Sequence, residues 1–202
     1  MEQNLPKLPK SFYQDYVLNV APKLLGKLIV TKNGGKFLCG MIVEVEAYDG
    51  AIDKAAHTYI GKTKRNEIMF QPGGFLYVYF TYGMHYCANV VAGNVNEGQA
   101  CLIRAVEPVK GIEIMKENRF KTNKQISLIN LTNGPAKFCS AFGIDRQLNG
   151  TDLSGDHIYL TEYQKITDND ILTSRRIGIK KSVELPWRFS IKDNPYVSQK
   201  VK

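Results

Sequence analysis

Glu44 and Glu46 stand two residues apart in the run Val43-Glu44-Val45-Glu46-Ala47-Tyr48. In an extended strand alternate residues share a face, with successive side chains on that face roughly 6–7 Å apart. Glu44, Glu46 and Tyr48 are then expected on one face, and Val43, Val45 and Ala47 on the core side. Two carboxylates that close can hold different protonation states where water is excluded, which suits acid–base work on a bond or a water. A solvated outer face carrying exposed glutamates has the same pattern. The turn at Gly50 adds weight to the chemical reading, because function often sits where a strand meets a loop.

The second run is Leu76-Tyr77-Val78-Tyr79-Phe80-Thr81-Tyr82-Gly83-Met84-His85-Tyr86. Alternation puts Tyr77 and Tyr79 on one face, and Val78, Phe80 and Tyr82 on the other. Aromatic faces can stack on nucleic-acid bases, each stack being worth about 1–3 kcal/mol. A packed aromatic core with hydroxyls at its edge reads equally well. Gly83 permits a sharp turn, which would leave Tyr82 projecting from a tip.

Gly61-Lys62-Thr63-Lys64-Arg65-Asn66 gathers three cations, a hydroxyl and an amide, a set suited to gripping phosphates. Its spacing is not that of a Walker A loop, and a solvated basic loop is the alternative. His57 follows Ala55-Ala56 and suits either ligand binding or a structural role. Arg104 lies within the otherwise apolar Ala100–Pro108 run, where a charge needs a partner. Glu46 is one candidate, and a purely structural ion pair is the other explanation.

The elements that must position these residues read as α+β. Ser11 and Gln14 at capping-box spacing start a helix near Phe12. Pro22 opens a second that Gly26 ends. Leu28–Thr31 and Phe37–Tyr48 form strands around the Asn33-Gly34-Gly35 hairpin signal. Residues 50–72 read as irregular. Phe75–Tyr82, Cys87–Ala92 and Ala100–Val106 read as strands, followed by a helix from Pro108 to about Asn118. Gly134-Pro135 starts another helix and Gly143 stops it. Ile158–Leu160, Ile177–Ile179 and Trp187–Ile191 are late strands. The expected architecture is one domain over residues 1–202, a mixed, mainly antiparallel curved sheet flanked by helices.

Composition bounds the partners. The 202 residues suffice for one sizeable core. Lys and Arg number 27 against 19 Asp and Glu, a net charge of +8, which suits a polyanion because neutralised phosphates release counterions. Cys39, Cys87, Cys101 and Cys139 form no CxxC and are expected as buried thiols in a reducing, cytoplasmic compartment. No apolar run reaches membrane-spanning length. His57, His85 and His157 are not spaced as helical metal ligands.

In order and spacing the chain resembles the alkyladenine (3-methylpurine) DNA glycosylase family. The resemblance is carried by Val43–Tyr48, Ala55-Ala56-His57-Thr58, Lys64-Arg65-Asn66 with Met69-Phe70, Leu76–Tyr79 with Tyr82-Gly83-Met84, Leu102–Pro108, Gly134-Pro135-Ala136-Lys137 and Arg176-Ile177-Gly178. It covers roughly Leu8 to Ser198 and marks the chain as similar to compact bacterial-type members.

The resemblance implies a cofactor-free, metal-free monomer acting on duplex DNA, with Glu46 activating the attacking water. Arg104 and the carbonyl of Ile177 resemble the other water-holding groups. Tyr48, His57 and Tyr79 resemble a sandwich for a flipped base, with Ala56 beside them and Asn89 limiting entry of a guanine amino group. Tyr82 resembles the residue that fills the gap in the stack. Met84, Lys62, Thr63, Lys64, Arg65 and Lys137 resemble DNA contacts. The implied substrates are 3-methyladenine, 7-methylguanine, hypoxanthine and ethenoadenine, released by simple hydrolysis without strand cleavage. Two other readings stay open: a non-catalytic module stacking unpaired bases on its tyrosines, and an enzyme of free nucleosides.

Overall fold

The computed structural model describes residues 6–81, 83–120 and 127–200. Its centre is the strand β2 (Lys36–Asp49), entered from β1 (Leu28–Asn33) through the expected turn at Gly34-Gly35. β2 pairs along one edge with β5 (Gln99–Lys110). Its other edge is shared, the first half pairing with β1 and residues 44–46 with β8 (Arg188–Ile191). With partners on both edges and cover on both faces, β2 is almost wholly buried. A strand two-faced in burial need not alternate apolar and polar, so its glutamates are interior charges and the solvated-face alternative fails.

The sheet runs β3 (Leu76–Thr81), β4 (His85–Ala92), β5, β2, β1, β6 (Ile158–Thr161), with β7 (Ile171–Ser174) joined through β8. It curls into a half-barrel. The α+β class stands. Every pairing among the described residues is antiparallel, so the mixed component expected from the sequence is absent there.

The helices cover one face. α1 (Lys10–Tyr13) begins after Pro9 without a side-chain cap, so the expected Ser11–Gln14 box does not form. α2 (Val17–Leu24) buries Val17, Val20, Ala21 and Leu24, a helical stripe with i, i+3, i+4, i+7 spacing. That stripe starts the helix before Pro22, which lies inside it. The orphan Val17 N–H is satisfied by Gln99 Oε1 at 2.9 Å. α3 (Ile112–Arg119) begins later than expected, because β5 continues through Pro108 opposite Gly40 and turns only at Gly111, φ 83°. α4 (Ile129–Thr132) precedes α5 (Pro135–Phe142), whose proline start and Gly143 stop match expectation.

Two clusters separate the faces of β2. Val45 and Ala47 join the helix-side core with Leu24, Ile103 and Phe138. Val43 joins Met41, Ala105 and Tyr159 on the opposite side, under Tyr196 and Val197. The expected common face of Val43, Val45 and Ala47 is therefore corrected. Pairing is irregular between Ile42 and Val45, a bulge-like break that changes which residues share a face. All four cysteines are buried and free. No helix among the described residues is long and apolar enough to cross a membrane.

Candidate active site

Glu46 is completely buried near the end of β2. Three segments bring a donor or a cation to its carboxylate. From its own strand, the Tyr48 hydroxyl donates to Oε2 at 2.8 Å. From the loop after β7, the Ile177 N–H donates to Oε1 at 2.7 Å. From β5, an Arg104 guanidinium nitrogen lies 3.2 Å from Oε1. Burial alone would lower the affinity of Arg104 for its proton, but the charges of Glu46 and Glu44 outweigh it and the net shift is upward. Burial, then the Glu46 charge, hold the Tyr48 hydroxyl far above its ordinary range, so it remains a donor.

All three donors line a cleft of about 380 Å³. Its other wall comes from β3, where Tyr77 and Tyr79 stack with centroids 5.6 Å apart, on one face as alternation predicts. His57 meets Tyr79 edge-on at 4.6 Å and its Nδ1 lies 3.1 Å from the Tyr77 hydroxyl. Burial first, and then the Arg65 charge, push the His57 pKa below the usual imidazole value. Asn89, opposite Tyr77 in β4, is buried in the same wall and donates to the Tyr77 carbonyl at 3.0 Å. The site thus brings together an anion held by donors, aromatic faces and one amide.

The loop over residues 57–66 is organised by Asn66. Its buried amide donates to the carbonyls of His57 and Gly61 and accepts from the Thr63 N–H at 2.6 Å. Lys62, Thr63 and Lys64 are thereby left exposed. Arg65 is exposed too, yet its guanidinium stands 5.8 Å over the Tyr79 ring and lines the cleft. Ala55 lines the cleft, whereas Ala56 is buried and is not among the lining residues. Met84 is exposed at the β3–β4 turn, where Gly83 has φ 67°. Lys137 is half-buried on α5, bonded to Asn133 at 2.7 Å, two residues beyond Pro135 of the cleft wall. Tyr82 lies outside the described residues.

Residues 177–179 do not form the expected strand. Arg176 makes a buried two-pronged ion pair with Asp53, donates to the Ala47 carbonyl at 2.9 Å, and lies 4.5 Å over the Tyr48 ring. These contacts, with Gly178 at φ 78°, hold the segment as a loop that presents the Ile177 N–H. The sequence reading missed Asp53, Arg188 and Ser198, and gave Arg176 no role. Arg188, a charge between Trp187 and Phe189, carried the same signal as Arg104. Asp53 carries none, since its partner is 123 residues away.

The model of the methylpurine-DNA glycosylase family matches residues 11–195. A protein of Carboxydothermus hydrogenoformans is 50% identical over 194 residues, covering 96% of this chain and 99% of the relative. Relatives from Alkaliphilus oremlandii and Desulfitobacterium hafniense are 47% and 45% identical, covering 96% and 97% of this chain and the whole of each relative. All three carry the provisional name 3-methyladenine DNA glycosylase.

Proposed function

The chain belongs to the methylpurine-DNA glycosylase family, and from that premise we propose that it turns alkylated or deaminated purines out of duplex DNA and hydrolyses their bond to the sugar. It is a DNA-3-methyladenine glycosylase, a hydrolase of N-glycosyl bonds. The observation that carries the mechanism is the buried Glu46 carboxylate, whose donors all face an aromatic cleft. A carboxylate offers about four acceptor sites. Tyr48 and Ile177 use two and the Arg104 cation stands beside Oε1, which leaves an acceptor site for a water.

A base stacked in a duplex is out of reach, so flipping must offset a few kcal/mol of lost stacking. Tyr82 refills the gap, while Lys62, Thr63, Lys64, Met84 and Lys137 hold the strand around it. An N-alkylated purine is cationic and is attracted to the faces of Tyr79 and Tyr48. The same charge makes it a good leaving group. Departure leaves an oxocarbenium-like sugar that ionised Glu46 stabilises while it orients the water. Asn89 disfavours the amino group of undamaged guanine. No lysine among the described residues lines the cleft, which supports hydrolysis that leaves an abasic site and an intact strand.

The test is to incubate the protein with alkylated duplex DNA and identify the released bases. Free 3-methyladenine and 7-methylguanine, with intact strands, are expected. Binding of single strands without base release would favour a stacking module, and equal cleavage of free methylated nucleosides would favour a nucleoside enzyme.

A further inference from the structure

Glu44 is as buried as Glu46, and neither is among the residues lining the cleft, but the three groups around Glu46 line it and, of those around Glu44, only Arg104 does. It collects donors from three elements. Oε1 accepts from Arg104 Nε at 3.1 Å, Arg188 Nε at 2.6 Å and the Ser198 hydroxyl at 2.9 Å. Oε2 accepts from the Ser198 N–H at 2.6 Å. Arg104 also donates to the Ser198 hydroxyl oxygen at 3.3 Å, and Arg188 donates to the Gln199 carbonyl. The segment around residues 194–199 therefore lies across the sheet and is fastened to the buried charges. Tyr196 and Val197 pack on the second apolar cluster, and Asn194 bonds Glu107 at 2.9 Å.

This arrangement divides the Arg104 guanidinium. Its Nε and one terminal nitrogen are held by Glu44 and Ser198, while the other terminal nitrogen reaches Glu46. A guanidinium is a rigid planar fork, so fixing two corners aims the third. Charge matters as well. Glu44 and Glu46 balance Arg104 and Arg188, and Arg188 sits opposite Glu46 in the β2–β8 pairing. Without Glu44, Arg104 would keep Glu46 as its one carboxylate partner, and its guanidinium would be free to turn.

We propose that Glu44, fastened by Ser198, is a positioning residue that aims Arg104 at Glu46, making the 194–199 segment part of the active site. The inference rests on the reading of Glu46 as the carboxylate that drives base release.

The test is a double-mutant cycle on single-turnover release of 7-methylguanine from duplex DNA, using wild type, Glu44→Gln, Arg104→Gln and the pair. Glu44→Gln is expected to slow release roughly tenfold or more, with affinity for abasic-site DNA unchanged. In the Arg104→Gln background, Glu44→Gln should add nothing. A wild-type rate for Glu44→Gln, or an equal factor in both backgrounds, overturns the proposal, since a merely structural residue acts regardless of Arg104. Ser198→Pro, which removes both Ser198 donors from Glu44, should give the same loss and the same coupling. Should Glu44→Gln not fold, that cycle decides. A wild-type protein that released no base would instead defeat the functional reading.

Discussion

The Tyr48 hydroxyl donates to Glu46 at 2.8 Å while the Arg176 guanidinium lies 4.5 Å over the same tyrosine's ring. One side chain thus links the Glu46 carboxylate to the Asp53–Arg176 clamp. Tyr48→Phe keeps the ring and removes the donor. A hydrogen bond to a charged group is worth about 1.5–3 kcal/mol. Single-turnover base release should therefore fall about ten- to a hundredfold, with the melting temperature little changed. An unaltered rate would show that the hydroxyl does not support Glu46.

Glu46→Gln should abolish detectable base release while sparing affinity for DNA with an abasic-site analogue. The amide can keep its oxygen toward the Ile177 N–H and Arg104, and turn its NH2 toward the Tyr48 oxygen. The fold should therefore tolerate it, but the negative charge proposed to stabilise the sugar is gone. Near-wild-type excision by this variant would remove Glu46 from the mechanism.

His57 gives a pH signature. Its folded pKa lies below the ordinary imidazole value, so between the two values the unfolded chain binds more protons. Stability is full above about pH 6.5, falls as pH drops through that window, and levels off below the folded value. His57→Gln can keep the bond to the Tyr77 hydroxyl and lacks the titration. Urea unfolding at about pH 7.5 and 5.5 should show a larger loss for wild type than for the variant. Equal losses would mean that His57 does not titrate as its burial implies.

Legibility in the sequence followed the range of the interactions. The hairpin at Gly34-Gly35, the α5 start at Pro135 and the shared face of Tyr77 and Tyr79 rest on local geometry, and all could be read. The pairing of Arg104 with Glu46 was also foreseeable, because an apolar strand leaves a charge in need of a partner. The faces of Val43 and Val45 were misread because the irregular β2–β5 pairing depends on a partner strand about 60 residues away. Ile177 reads as a strand residue because Ile177 and Ile179 alternate around Gly178. Its conformation is set by Asp53 and Glu46, neither of which is local. Ser198 carried no signal, since its role exists only once the segment lies on Glu44.

The Asp53–Arg176 pair tests how far the site depends on its clamp. Both side chains are fully buried, and removing one partner of such a pair typically costs about 3–5 kcal/mol. Asp53→Ala should lower unfolding free energy by about that much, read from the urea midpoint at constant m-value. It should also slow base release, because the loop presenting Ile177 loses its anchor. A stability loss with an unchanged release rate would show that the loop is held by Gly178 and the Glu46 bond alone.

Lys62 and Lys64 separate binding from chemistry. Both are exposed on the loop that Asn66 holds open, and neither lines the cleft. If each meets a phosphate, replacing it with alanine should reduce the slope of log affinity against log salt by about one and weaken binding equally for damaged and undamaged duplex. Release at saturating enzyme should be unchanged, because the donors to Glu46 are untouched. Arg65→Ala should behave differently. Its guanidinium stands over Tyr79 inside the cleft mouth, so its loss should change discrimination between cationic and neutral lesions as well as affinity. The comparison is made by measuring salt slopes and single-turnover rates for all three variants on 7-methylguanine and hypoxanthine duplexes. An Arg65→Ala variant indistinguishable from Lys64→Ala would place Arg65 on the backbone alone.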